Sequence, residues 1–131
     1  MATSPAPDDA LIQQARAAGT GVVKHTPVTS SAAISEACAG SVVLKAENLQ
    51  RTGSFKIRGA MAKVSSLGES AARGVTAGSA GNHAQALAFA ARHHGVPCQI
   101  FVPAGAPISK TEACRAYGAE VIEGGDSLSE A

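Results

Sequence analysis

Tryptophan is absent from this chain, and aromatic residues make up only 3% of it. Single-stranded nucleic acid is gripped by basic residues interleaved with aromatics, and no such stretch occurs. Charge of either sign is also in short supply. The 11 basic and 10 acidic residues leave a net +1, with no basic run, so no nucleic-acid partner is expected. No apolar run approaches the length of a membrane span, so no membrane partner is expected either. Cysteine is sparse: Cys38, Cys98 and Cys114 are odd in number and far apart, with no C-x-x-C or Cys/His pattern. That argues against a metal site and against a disulfide framework, and fits free thiols in a reducing, cytoplasmic setting. Residues 1–9 contain Pro and Asp but no apolar signal core, and read as a disordered lead-in.

What the chain does have is small apolar residues. Its hydrophobic content is 45%, rich in Ala and Val, over a length of 131 residues. Such residues suit close packing of helices on a sheet, although each buries less area than Leu or Phe. A short helix is expected over 10–18, ending at Gly19. An extended segment through Thr26-Pro27 should follow, because the residue before proline avoids the helical region. A second short helix is expected over 31–38 and a strand over 41–46. A helix from Ser54 places Ile57, Met61, Val64 and Leu67 at helical spacing, with Gly68 as its C-terminal cap.

Beyond residue 74 the pattern becomes regular: strand 75–77, helix 82–94 closed by Gly95, strand 98–102, helix 108–117 closed by Gly118, strand 120–122. Strands alternating with helices over short links predict an α/β fold, an open parallel sheet with flanking helices. After Gly124-Gly125 the chain runs out at the start of what reads as another helix, so the sheet is expected to be partial, with uncovered faces or edges.

Two segments carry chemistry. The first is Thr52-Gly53-Ser54-Phe55-Lys56-Ile57-Arg58-Gly59-Ala60. A lysine near a helix start is usually a solvated surface residue. Here Lys56 falls in the first turn, where the helix dipole disfavours a cation and so favours the neutral amine that imine formation requires. Phe55 supplies an apolar wall, and Gly53 and Gly59 allow close approach of something bulky. The second segment is Ser79-Ala80-Gly81-Asn82-His83, a small-residue loop between a strand and a helix. In an open α/β sheet, ligands bind at that end of the strands, and the first helical N–H groups lie open to an anion. The simpler account is an ordinary cap, with Ser79 or Asn82 satisfying those amides. The loop is neither a Walker A sequence nor a G-x-G-x-x-G fingerprint. His93 and His94 fit a solvated helix C-terminus, and Lys110 and Arg115 read as surface charges.

Together the two segments are more specific than either alone. The run from Glu47 to Ala60, followed by Ser79-Ala80-Gly81-Asn82-His83-Ala84-Gln85, resembles the threonine/serine dehydratase (ammonia-lyase) family, which depends on pyridoxal 5′-phosphate and includes serine racemase. The likeness continues through Val102-Pro103, Ala106-Pro107-Ile108-Ser109-Lys110 and Tyr117-Gly118-Ala119-Glu120-Val121. The resemblance implies that Lys56 binds the cofactor covalently, that Asn82 hydrogen-bonds its ring hydroxyl, and that Phe55 lines the ring's surroundings. It implies that Ser79, Ala80, Gly81, Asn82 and His83 hold the carboxylate of an amino-acid substrate. Racemases of this group tend to carry serine at the position of Ala80. Alanine cannot move a proton, so dehydration to a 2-oxo acid and ammonia is expected ahead of racemisation.

In the same comparison the chain matches the N-terminal part of a two-lobed enzyme. Residues 1–19 are a lead-in and short helix, 20–131 an incomplete catalytic portion, and 50–131 the small-lobe segment. The family's glycine-rich loop for the cofactor phosphate comes later than these residues. The chain alone is therefore expected to be inactive, with a non-catalytic fragment or a serine-racemase-like enzyme as the alternatives. The resemblance implies a homo-oligomer for the full-length family.

Overall fold

The computed structural model describes residues 8–130; residues 1–7, most of the expected lead-in, lie outside them. Asp8 is a helix cap: its side chain accepts from the Leu11 N–H at 2.8 Å and opens α1 (Asp9–Ala18). Then come β1 (Val28–Ser30), α2 (Ala32–Ala37, capped by Ser31) and β2 (Val43–Lys45). β1 and β2 pair antiparallel in a sheet of their own, with Val28 opposite Lys45. The expected strand at 41–46 is thus present but shorter. Every residue of both strands is exposed, Val28, Val43 and Leu44 included.

A 3-10 turn over Glu47–Leu49 leads to α3 (Lys56–Ser66). Ile57, Ala60, Met61 and Val64 form its buried face, as the helical spacing predicts. Gly68 follows with φ +52°, but the chain continues into a further 3-10 segment, Gly68–Arg73, that periodicity did not signal. β3 (Val75–Gly78), α4 (Asn82–His94), β4 (Cys98–Val102), α5 (Ile108–Ala116) and β5 (Glu120–Glu123) then alternate. Gly95 closes α4 in the left-handed conformation, φ +68°, which an L side chain adopts only with strain. The helix expected after Gly125 is not formed; Ser127–Glu130 makes a turn instead.

β3, β4 and β5 form a parallel sheet in that order, with Val75 beside Cys98 and Ile100 beside Val121. α4 lies between α3 and α5 and packs on β3 and β4, while α1 packs on α3. One face of the sheet is sealed: Cys98, Ile100 and Val102 are buried beneath the helices. The other carries exposed Thr76 and Glu120 with half-buried Gln99 and Phe101, and Gln99 donates to Glu120 across it at 2.8 Å. Parallel sheets are normally covered on both faces. The uncovered face agrees with the expectation of a partial sheet. Among the described residues, no helix is long and apolar enough to cross a membrane.

The three cysteines are free. Cys98 and Cys114 are buried and Cys38 is exposed. Burial pushes the Cys98 thiol up to about 11 and raises Cys114 as well. A thiol-alkylating reagent at neutral pH should therefore modify Cys38 quickly and the other two only on unfolding. Mass spectrometry of a time course checks this, and rapid labelling of Cys98 in folded protein would contradict the packing.

Candidate active site

α3 begins at Lys56 itself. Phe55 occupies the N-cap position without a side-chain cap bond, and the first turn holds no acidic residue. Gly53, at φ +72°, turns the chain into this helix. The Lys56 amine lies 5.1 Å from the centre of the Phe55 ring. Both side chains are exposed; Phe55, at 58%, flanks the amine as an open apolar surface. Among the described residues Lys56 has no carboxylate partner, the ion pairs being made by Lys45, Arg58 and Arg115.

The helix start is held from the other side by an ionic clamp. Arg58 donates to both oxygens of Glu47, Nε and Nη2 each at 2.8 Å, and Thr26 donates to the same carboxylate. Lys45 stands 3.8 Å away. These groups hold the Glu47 carboxyl at about 2, well below its ordinary 4.5, with the Arg58 hydrogen bonds the largest cause. Next to the clamp, buried Gln50 exchanges two 2.9 Å bonds with the Lys24 backbone, and Arg51 donates to the Val22 carbonyl. The segment before the lysine is thereby tied to residues more than twenty positions earlier in the chain.

The 79–83 loop leaves the C-terminal end of β3. The Ser79 N–H donates to the Phe101 carbonyl at 3.0 Å, fixing the loop to the end of β4. Neither Ser79 nor Asn82 caps α4: the helix has no side-chain cap bond, and Ser79 Oγ accepts only from Gly81 N at 3.3 Å. A Cβ built on Gly81 would meet nothing within 4 Å. The opening amides of α4 are thus left without a side-chain cap, which is the arrangement that accepts an anion. Lys110, read from sequence as a surface charge, instead donates from Nζ to Asn82 Oδ1 at 3.0 Å.

A cavity of about 610 Å³ joins the two segments. Phe55 lines it from just before α3, Lys56 and Gly59 from α3, His83 and Leu87 from α4, and Val75 and Thr76 from β3. Of the loop, His83 reaches this lining; Ser79, Ala80, Gly81 and Asn82 do not. His93 and His94 lie exposed in the last turn of α4, as expected of a solvated C-terminus. Glu47, Arg58 and Gln50 were given no role of their own from sequence, and Lys110 only that of a surface charge. The one available signal was opposite charge at Glu47 and Arg58 on either side of the lysine loop.

A family model described as pyridoxal-phosphate dependent enzyme matches residues 20–131. The chain belongs to this family. Similar members include an L-threonine ammonia-lyase of Thermotoga maritima, 47% identical over 121 residues, covering 92% of this chain and 30% of that protein. The L-threonine dehydratase catabolic TdcB of Escherichia coli is 44% identical over 124 residues, covering 94% and 37%. Among solved structures, maize serine racemase superposes with TM-score 0.85 at 37% identity, covering 96% of this chain and 39% of that one. Threonine deaminase isoform 2 from Solanum lycopersicum gives 0.78 at 30% identity, covering 98% and 37%. The chain thus spans about a third of the length of the curated relatives it matches.

The residues present fit the family's cofactor on the side they supply. An amine without a carboxylate partner stands beside an open cavity, and an uncapped helix start offers donors to an anion.

The clamp makes stability depend on pH. Because the folded Glu47 carboxyl sits at about 2 and the ordinary value is 4.5, its contribution is complete above 4.5 and is lost as pH falls towards 2. Glu47→Gln should cost about 1–2 kcal/mol at neutral pH, discounted because Arg58 is partly exposed. It should also flatten the acid limb of the stability curve. Thermal unfolding of both proteins between neutral and acid pH tests this, and parallel acid limbs would show that the pair is not coupled to folding.

Proposed function

We propose that these residues form the lysine-bearing part of an ammonia-lyase that eliminates water from L-threonine or L-serine, after which the enamine product is hydrolysed, taking up one water, to a 2-oxo acid and ammonia. The observation that carries this is the single cavity shared by Lys56 and His83, next to a helix start with no cap. The curated relatives named L-threonine ammonia-lyase and L-threonine dehydratase support it.

Pyridoxal phosphate, when bound, supplies an electron sink for negative charge at the substrate Cα. Lys56 would hold it through its amine, with Asn82 donating to its ring hydroxyl and Phe55 beside the ring. The loop of Ser79, Ala80, Gly81, Asn82 and His83 would bind the substrate carboxylate through the main-chain N–H groups of Ala80, Asn82 and His83, since those of Ser79 and Gly81 are already bonded to Phe101 O and Ser79 Oγ. Each charge-assisted hydrogen bond contributes about 1.5–3 kcal/mol. Once the substrate amine has displaced it from the cofactor, Lys56 Nζ would take the α-proton and pass it to the departing β-hydroxyl, which then leaves as water. Residues 50–131 would belong to the smaller of two lobes and the earlier residues to the larger. A cytoplasmic, homo-oligomeric protein suits the free thiols and the family resemblance.

Racemisation is the second reading, favoured by the likeness to structures named serine racemase. Ala80 weighs against it. A methyl group cannot return a proton to the opposite face of the substrate. A fragment without catalysis is the third, since the chain's only paired glycines, Gly124-Gly125, are too few to cradle a phosphate.

Reduction with borohydride after incubation with pyridoxal phosphate should leave a pyridoxyl mass on the Lys56 peptide, absent in Lys56→Ala. No adduct on Lys56 would remove the foundation of the proposal. The chain alone should yield no 2-oxobutyrate from threonine, and steady turnover by pure material would refute the half-site assignment. A chimera carrying residues 20–131 in place of the matching segment of the Thermotoga maritima protein should be active. Adding Ala80→Ser to it should bring interconversion of L- and D-serine, followed by chiral chromatography; unchanged stereochemistry would mean that position 80 does not set the outcome.

A further inference from the structure

Lys110 stands at a position that works against its own helix. It is the third residue of α5, whose first turn contains no acid, and a cation there is disfavoured by the helix dipole. Its ammonium is spent on a single contact among the described residues, the 3.0 Å bond to Asn82 Oδ1. Asn82 opens α4, so this bond joins the starts of two helices that follow adjacent strands.

A carboxamide presents an acceptor on one side and two donors on the other, and nothing intrinsic to Asn decides which way it turns. An ammonium carries donors only. Facing Lys110, Asn82 must offer its oxygen, which leaves the Nδ2 hydrogens for whatever the site binds. The positive charge on the oxygen also polarises the amide and strengthens those donors. From this geometry we infer that Lys110 is a positioning residue that fixes the Asn82 side chain as a hydrogen-bond donor. The inference rests on the proposed function for what Asn82 meets, an acceptor oxygen on the cofactor ring. Its sign is definite: with the oxygen held by Lys110, Asn82 cannot serve a ligand donor.

Four variants of the 131-residue chain test this: Lys110→Met, Lys110→Arg, Asn82→Ala and the Lys110→Met/Asn82→Ala pair. The first readout needs no cofactor. In a proton–nitrogen correlation spectrum, the Asn82 side-chain amide pair should shift in Lys110→Met and return towards its original place in Lys110→Arg. The thermal midpoint should not fall, since the substitution relieves the unfavourable charge in α5. An Asn82 amide pair that stays in place in Lys110→Met overturns the inference. The second readout is uptake of pyridoxal phosphate by visible absorbance. Lys110→Met should weaken it about tenfold, the scale of one charge-assisted hydrogen bond. The double variant should be no weaker than Asn82→Ala, because Lys110 acts through Asn82. Additive losses would overturn the positioning role. If the unaltered chain takes up no pyridoxal phosphate, the proposed function fails, and the amide shift still decides for or against Lys110.

Discussion

The geometry of the candidate site depends on how closely α3 can approach α4 and the sheet. That approach is set by alanine. Ala84, Ala86, Ala88, Ala90 and Ala91 are buried on α4, together with Leu87 and Gln85, so the helix is enclosed on nearly every side. Each methyl group contributes little by itself, but a small side chain lets neighbouring backbones come near. The larger residues of the core then come from the partners: Ile57, Met61 and Val64 from α3, Ile100 and Val102 from β4. Lengthening an α4 alanine would force these elements apart, because a filled core tolerates added volume poorly. Lys56 is the first residue of α3 and His83 the second of α4, so the packing that seats the two helices also sets the width of the cavity between them.

Electrostatics act on the same ends of the helices. α3, α4 and α5 have no acidic residue in their first turns, and α3 and α5 carry a lysine there. A protein surface built only for stability would place carboxylates at such positions. Here the Glu47 carboxylate, close in sequence to the lysine segment, is engaged by Arg58 and Thr26. The positive helix starts remain available to an anion brought from outside. Under the proposed function, that anion is the carboxylate of an amino acid, held while its Cα reacts. The clamp secures the segment before Lys56 without giving the Lys56 amine a carboxylate partner.

Local signals carried far along this chain. Apolar spacing together with Gly95 and Gly118 outlined α4 and α5, and the β-branched and apolar run 98–102 outlined β4 to its observed ends. Lys56 and the 79–83 loop stood out because residue type and position relative to a helix start are both local properties. The 3-10 segment Gly68–Arg73 was not legible, since Gly68 looked like a plain stop. The antiparallel pairing of β1 with β2 was equally hidden, because a three-residue strand does not announce its partner.

By itself, then, the sequence determined the alternating helices and strands from β3 to β5, which lysine begins a helix, and that alanine at position 80 has no proton to give. These follow from dihedral preference, side-chain periodicity and functional-group chemistry, none of which needs a distant residue. The tertiary structure alone decided that Glu47 grips Arg58, that Gln50 binds the Lys24 backbone, and that Lys110 holds Asn82 from 28 residues away. Each of those depends on where separate elements come to rest. A hydrogen bond a few ångströms long between residues far apart in the chain has no period, spacing or composition through which the sequence could express it.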